Sequence, residues 1–216
     1  MKIGIKKDRI LSILRTNKPF IVLAILLVFM SFASPYFLKL DNLKTVLLQT
    51  SMNAVLAMGI SFTILIGGID LSIGSVLAFS SALGATMLGK GWPLIPSLIL
   101  VLLIGTTLGL LNGILVSFGR LQPFIATLAT MSLWRGFTLV LTQARPISVR
   151  EAPAFGAFRK IGSGSFLGLP IPVWIMLLVF LLAYVILRHR SIGRYIYAVG
   201  SSEEASLYSG INTHKV

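Results

Sequence analysis

Six long apolar runs dominate this sequence, at residues 19–38, 45–66, 71–88, 94–118, 121–141 and 171–187. They are uncharged except for Arg135 in the fifth. A helix needs about 20 mostly apolar residues to cross a bilayer. Inside the hydrocarbon core a segment must satisfy its own backbone N–H and C=O groups, so such runs read as transmembrane helices. The expected fold class is therefore all-α, a polytopic transmembrane helix bundle of about six spans. Breakers separate the runs: Gly67-Gly68, the 89–93 stretch, Gly119-Arg120, and Pro170 with Pro172.

Composition supports the bilayer as solvent. Only 12% of the 216 residues are charged, against roughly 25% in soluble domains. The net charge of +13 is first a topology signal, because basic residues gather in cytoplasmic loops. The bases lie between apolar blocks rather than on one face interleaved with aromatics, which argues against nucleic acid as a partner. With no cysteine, disulfides, iron–sulfur clusters and thiolate zinc sites are excluded; His189 and His214 stand alone in the sequence. No cofactor and no metal is expected.

Orientation follows from the charges. With the N-terminus cytoplasmic, six spans return the tail to the same side. The inner set is then Lys2, Lys6, Lys7, Arg9, Arg15, Lys18, Arg120, Arg188, Arg190, Arg194 and Lys215. The outer set is Lys39, Lys44, Lys90, Arg145, Arg150, Arg159 and Lys160, so the count is eleven to seven for the N-in arrangement. The expected organisation is a basic cytoplasmic N-terminus at 1–18, a membrane bundle at 19–188 and a cytoplasmic segment at 189–216. The first run lacks a convincing cleavage motif, and a retained span is expected rather than a signal peptide.

Several motifs carry polar groups into this apolar frame. Asp70 is the single charge between Thr45 and Gly89, set in "TILIGGIDLSIGSVLAF" at 63–79. One reading makes it the cap of the third helix, accepting from the amide of Ser72 or Ile73. The other makes it part of a broken helix lining a transport route, where irregular backbone is tolerated beside water or protein. Gly105, Gly109 and Gly113 stack on one helix face, a pattern that lets another helix approach closely. Asn112 lies beside that face and is expected to point into the bundle. Arg135, beside Trp134, is expected to snorkel to an interface. Asn53, Ser72, Phe124 and Thr127 are further candidates for a polar pathway lining, chosen by position.

"GATMLGKG" at 84–91 fits the outline of a phosphate-binding loop, but Gly91 stands where Ser or Thr should hold magnesium. It also ends a span instead of joining a strand to a helix, so the chain is not expected to bind ATP. In the tail, Ser202, Glu203 and Glu204 read as a helix start, and Gly210 as its stop. A short helix at 202–209 is expected there. There is no H-E-x-x-H and no catalytic carboxylate pair, so the chain is not expected to be an enzyme.

Three segments together, "GGIDLSIGSVLA" (67–78), "NGILVSFGRLQPFIATLATMSLWRG" (112–136) and "SIGRYIYAVGSSEEASLYSGI" (191–211), preceded by the basic N-terminus, resemble the permease subunits of bacterial ABC importers for monosaccharides of the ribose, xylose, arabinose and galactose type. The resemblance implies a pathway-forming subunit in the bacterial inner membrane. It implies as partners a second permease subunit, cytoplasmic ATP-binding subunits that hydrolyse ATP, and a periplasmic sugar-binding protein, besides membrane lipid. It also makes Glu203, Glu204, Ala205 and Gly210 the ATPase-coupling residues, with Ser206 in place of a second alanine. Members of the family run about half as long again, with roughly ten helices, so a fragment, a split gene or a truncated product is expected. An ion-coupled secondary transporter is the competing reading, and Asp70 and Arg135 are the only ionisable groups within its spans.

Overall fold

The computed structural model describes residues 18–216, so the basic segment 1–17 lies outside the described residues. The described residues divide into two compact units, 18–47 and 48–216. In the first, α1 (Lys18–Ala33) stops short of residue 38. The cause is Ser34-Pro35, since a residue before proline is pushed out of the helical region. A turn follows, in which Asn42 donates its side-chain N–H to the Phe37 carbonyl at 2.8 Å. α2 (Leu40–Leu65) then begins five residues before the apolar run does. Asp41 in its first turn suits the positive end of the helix dipole, so the helix extends through charged residues that lie beyond the apolar stretch.

In the second unit, α2 ends at the glycine pair. The Gly68 N–H donates to the Thr63 carbonyl and the Gly67 N–H to that of Ile64, both at 2.9 Å. Gly67 has φ of +82°. This is the six-to-one and five-to-two pattern of a Schellman motif, which needs a left-handed residue at its fifth position. α3 (Ile73–Gly89), α4 (Leu94–Ser117) and α5 (Pro123–Thr142) follow and pack against one another. α7 (Ile171–His189) follows, packed against α6, β2 and the next helix, and α8 (Ser191–Ser201) and α9 (Glu203–Tyr208) form the tail.

Four helices, α2, α4, α5 and α7, are long and apolar enough to cross a membrane, and α1 and α3 are shorter apolar helices of 16 and 17 residues. The chain is an all-α membrane bundle. The 142–169 connection contains α6 (Phe155–Ser163) and a small hairpin, β1 (Ser165–Phe166) paired antiparallel with β2 (Leu169–Pro170). Large apolar side chains are mostly exposed on the helix surfaces, and the fully buried side chains are Ser51, Ser72 and Ser97. That inversion is expected where lipid tails are as apolar as leucine and small residues let helices approach.

Candidate functional site: a polar helix break tied to the tail

The link between α2 and α3 is where polar side chains converge. Asp70 Oδ1 accepts from the Ser72 amide and from the Ser72 hydroxyl, both at 2.7 Å. Ser72 is helical at φ −80° and ψ −18°, and its carbonyl already accepts from Ser75 and Val76. Asp70 therefore holds the residue at the N-terminal boundary of α3 through a local two-residue turn, while that boundary residue, Ser72, makes no side-chain capping bond of its own to the helix. The Ser72 hydroxyl in turn accepts from Asn112 Nδ2 at 2.7 Å. One chain of bonds thus runs from α4 through Ser72 to the carboxylate.

Burial makes these bonds consequential. Ser72 is 1% exposed and Asn112 5%, so a lost partner would leave a desolvated polar group. Asn112 Oδ1 is buried with no partner among the described residues. From α5, the Thr127 hydroxyl lies 2.8 Å from the Pro123 carbonyl and 3.1 Å from the Ile69 carbonyl. It shares one proton between its own helix and the link. Gly68 is buried against Thr63, and a Cβ on it would also reach the Pro123 side chain. Asp70, Ser72, Asn112 and Thr127 are thus brought together. Asn53 on α2 and Phe124 at the start of α5 are exposed and stand outside this network.

The glycines tell a different story from their spacing. A Cβ built on Gly105, Gly109 or Gly113 meets nothing within 4 Å among the described residues. Close approach occurs instead at Gly84 of α3, where a Cβ would collide with the Val101 side chain of α4. Farther along α3, Phe79 stacks on Trp134 of α5 with ring centroids 5.7 Å apart, and Phe137 joins them at 6.2 Å from Phe79. Arg135 points to the exposed side of the same helix.

The tail reaches back to this region at two points. Gly200 of α8 abuts the Leu65 carbonyl at the end of α2, so closely that a Cβ has no room. The second contact is made by the last turn, Thr213–Lys215. There the His214 ring lies 3.0 Å from the Ser117 carbonyl, the Ser117 hydroxyl donates to the His214 carbonyl at 3.0 Å, and the ring stacks on Phe118 at 5.7 Å. Between these contacts sits α9. Its N-cap, Ser202, accepts from the Ala205 amide at 3.2 Å, while Ser206 is buried and donates to the Ser202 carbonyl at 2.8 Å. Gly210 ends it at φ +79°, with Ile211 donating to Ser206 and Gly210 to Leu207, a second Schellman motif. Glu203, Glu204, Ala205, Leu207 and Tyr208 are exposed. The signal for Gly200 in the sequence was slight, a glycine late in a helix, and its contact is made across the fold.

Geometry fixes depth as well. At 1.5 Å per residue, Asn112 stands about 8 Å from the end of α4 that carries Ser117. The polar break therefore lies near the face of the bundle that bears the tail. The arrangement is a buried set of hydroxyl, amide and carboxylate groups bonded to one another, and among the described residues it offers no nucleophile–base pair. Among the described residues there is no cluster of ligands suited to a metal ion.

Residues 42–216 match the family model described as the permease component of the branched-chain amino acid transport system. The chain belongs to this family. Among its relatives, the ribose import permease protein RbsC of Haemophilus influenzae is 48% identical over 93% of this chain, and RbsC of Escherichia coli (strain K12) is 43% identical over 94%. The D-allose transport system permease protein AlsC of Escherichia coli (strain K12) is 36% identical over 89% of the chain. The chain spans 62%, 63% and 58% of the length of these three relatives. No solved structure matches it.

Proposed function

We propose that this chain forms the translocation pathway of a monosaccharide in an ATP-driven importer of the bacterial inner membrane. The observation that carries the proposal is the direct seating of the tail on the end of α2 that leads into the polar break and on the end of α4, the helix that supplies Asn112 to it. α9 presents Glu203, Glu204 and Ala205 outward, while its neighbours press on Leu65 through Gly200 and on Ser117 through His214. A cytoplasmic ATP-binding subunit gripping α9 would move both helix ends together, and the link between Gly67 and Ser72 would move with them. Asp70, Ser72, Asn112 and Thr127 line the polar side of that link, and Asn53 and Phe124 extend the proposed pathway lining. The open faces of Gly105, Gly109 and Gly113 suit a second permease subunit, and a periplasmic sugar-binding protein would deliver the substrate. ATP hydrolysis belongs to the ATP-binding partner. In this reading the N-terminal segment 1–18 and the tail 189–216 are both cytoplasmic, around a bundle at 19–188.

A sugar is favoured over a branched-chain amino acid because the relatives above are named for ribose and allose import. A hydroxyl- and amide-lined break also suits polyols better than aliphatic side chains. The direct experiment is uptake of labelled ribose, allose and leucine by cells expressing the gene with its neighbouring transport genes, with and without Glu204→Arg. Reversing that charge should leave the permease in the membrane and abolish both sugar uptake and co-purification of the ATP-binding subunit. Undiminished uptake in the variant, or uptake without any ATP-binding subunit, would overturn the coupling and favour an ion-driven carrier.

A further inference from the structure

The face opposite the tail carries an element that the transport reading leaves unused. α6 (Phe155–Ser163) lies between two candidate spans, α5 and α7, so the chain holds it at a membrane boundary. Its residues separate cleanly at about 100° per residue. Phe155, Ala157, Phe158 and Ile161 fall on one side; Arg159, Lys160 and Ser163 fall on the other, with the bare backbone of Gly156 between them. Arg159, Lys160, Ser163, Gly156 and Gly164 line one open notch on that polar side. Two cations and a hydroxyl around a glycine floor make a concave seat for an oxyanion.

The hairpin after α6 adds an independent observation. Leu167 and Gly168, its two central residues, have φ of +51° and +82°. A turn of this kind favours glycine or asparagine at both positions. A leucine at positive φ is strained, and this one is 76% exposed, beside Phe166 at 59%. Phe166 packs edge-on against Trp174 of α7 at 6.0 Å, and its carbonyl accepts from the Trp174 indole at 3.0 Å. Trp174 heads an exposed apolar stripe down α7 through Leu178 and Leu181. The hairpin tip therefore continues the surface that faces the acyl chains, with a tryptophan at the level where interfacial aromatics gather.

We propose that α6 and the hairpin are an interfacial anchor that binds the phosphate of an anionic phospholipid, with Phe166 and Leu167 inserted at the acyl boundary and Arg159 and Lys160 holding the headgroup. Lipid is the occupant rather than an acidic protein, because the exposed apolar tip is continuous with the lipid-facing stripe of α7. A helix with one apolar and one basic face at a bilayer edge lies in the interface in this way.

The chain has no cysteine, so single nitroxides can be placed by Leu167→Cys and, separately, Phe166→Cys in the full chain in nanodiscs of phosphatidylglycerol and phosphatidylcholine. Both labels should be relaxed by oxygen and shielded from a water-soluble nickel chelate. Nickel-accessible labels at both positions would overturn the insertion. Separately, the double variant Arg159→Gln/Lys160→Gln should lose the phosphatidylglycerol that survives detergent washing, while Lys90→Gln should keep it. Equal retention by the double variant would overturn the headgroup site.

Discussion

At its first turn α3 is held to its neighbours by hydrogen bonds, and farther along it is held by shape. The break end has Asp70, Ser72, Asn112 and Thr127 bonded across three segments at 2.7–3.1 Å. Farther along, Gly84 lies against Val101 and Phe79 against Trp134, with no side-chain hydrogen bond between those helices among the described residues. Hydrogen bonds are directional and short-ranged, so they set one register for the link. Packed apolar surfaces constrain distance more than register. The difference leaves the break as the end of α3 whose register is set by directed bonds, and the rest as a length held by packing alone.

Tail contacts provide the hardest way to break that contrast. Gly200→Val places side-chain atoms where the Leu65 carbonyl stands, and backbone cannot rotate away as a side chain can. Overpacking of this kind costs ~1–3 kcal/mol, and it acts on the contact that joins the tail to the break. Sugar uptake is expected to fall about tenfold or more, with the protein still in the membrane. Near-normal uptake would mean the tail drives the break through His214 and Ser117 alone. A matching substitution at an open glycine, Gly109→Ala, distinguishes a clash inside the chain from one with a second subunit: a loss of co-purified partner permease supports the latter.

Substitutions at the break come next in size. Asp70→Ala removes the carboxylate that holds the start of α3, a loss of ~1 kcal/mol on the scale of a capping bond, and strands the Ser72 hydroxyl, whereas Asp70→Asn can still accept the Ser72 amide. If holding the helix start is the whole role, uptake in Asp70→Asn should approach the parent level while Asp70→Ala falls severalfold. If Asn fails like Ala, the charge itself serves the pathway. Asn112→Leu tests the same chain from α4, since it leaves Ser72 buried with one partner fewer. A thermal shift in detergent should follow, because a stranded buried group costs ~1–3 kcal/mol.

How much of this was legible in the sequence differs between the same regions. The Gly67-Gly68 stop, the short-range bond of Asp70 to Ser72 and the Ser202-to-Gly210 helix follow from local chemistry, because turns, caps and Schellman motifs are specified within six residues. Helix ends were less legible. α2 starts at Leu40 instead of 45, since hydropathy marks the lipid-immersed part and says little about the wetted turns beyond it. α6 was readable in principle from the spacing of Phe155, Phe158 and Ile161, but charge and glycine masked the period. The spacing of Gly105, Gly109 and Gly113 pointed to close packing that no neighbour among the described residues supplies, whereas the contacts of Gly84 and Gly200 are tertiary and left no local trace.

The smallest expected effect sharpens the comparison most. Trp134 Nε1 is buried without a partner in the far half of the bundle. Trp134→Phe removes that stranded donor and keeps an aromatic ring against Phe79. Deleting an unsatisfied buried donor recovers its desolvation cost, while the aromatic pair, worth ~0.5–1.5 kcal/mol, survives in reduced form. The two terms oppose, so the midpoint of thermal unfolding in detergent should move little or rise slightly, and uptake should be unchanged. A clear drop in both would mean that the indole N–H meets a polar partner in the working transporter. The far half would then join the polar pathway, and α3 would be held by hydrogen bonds along its whole length.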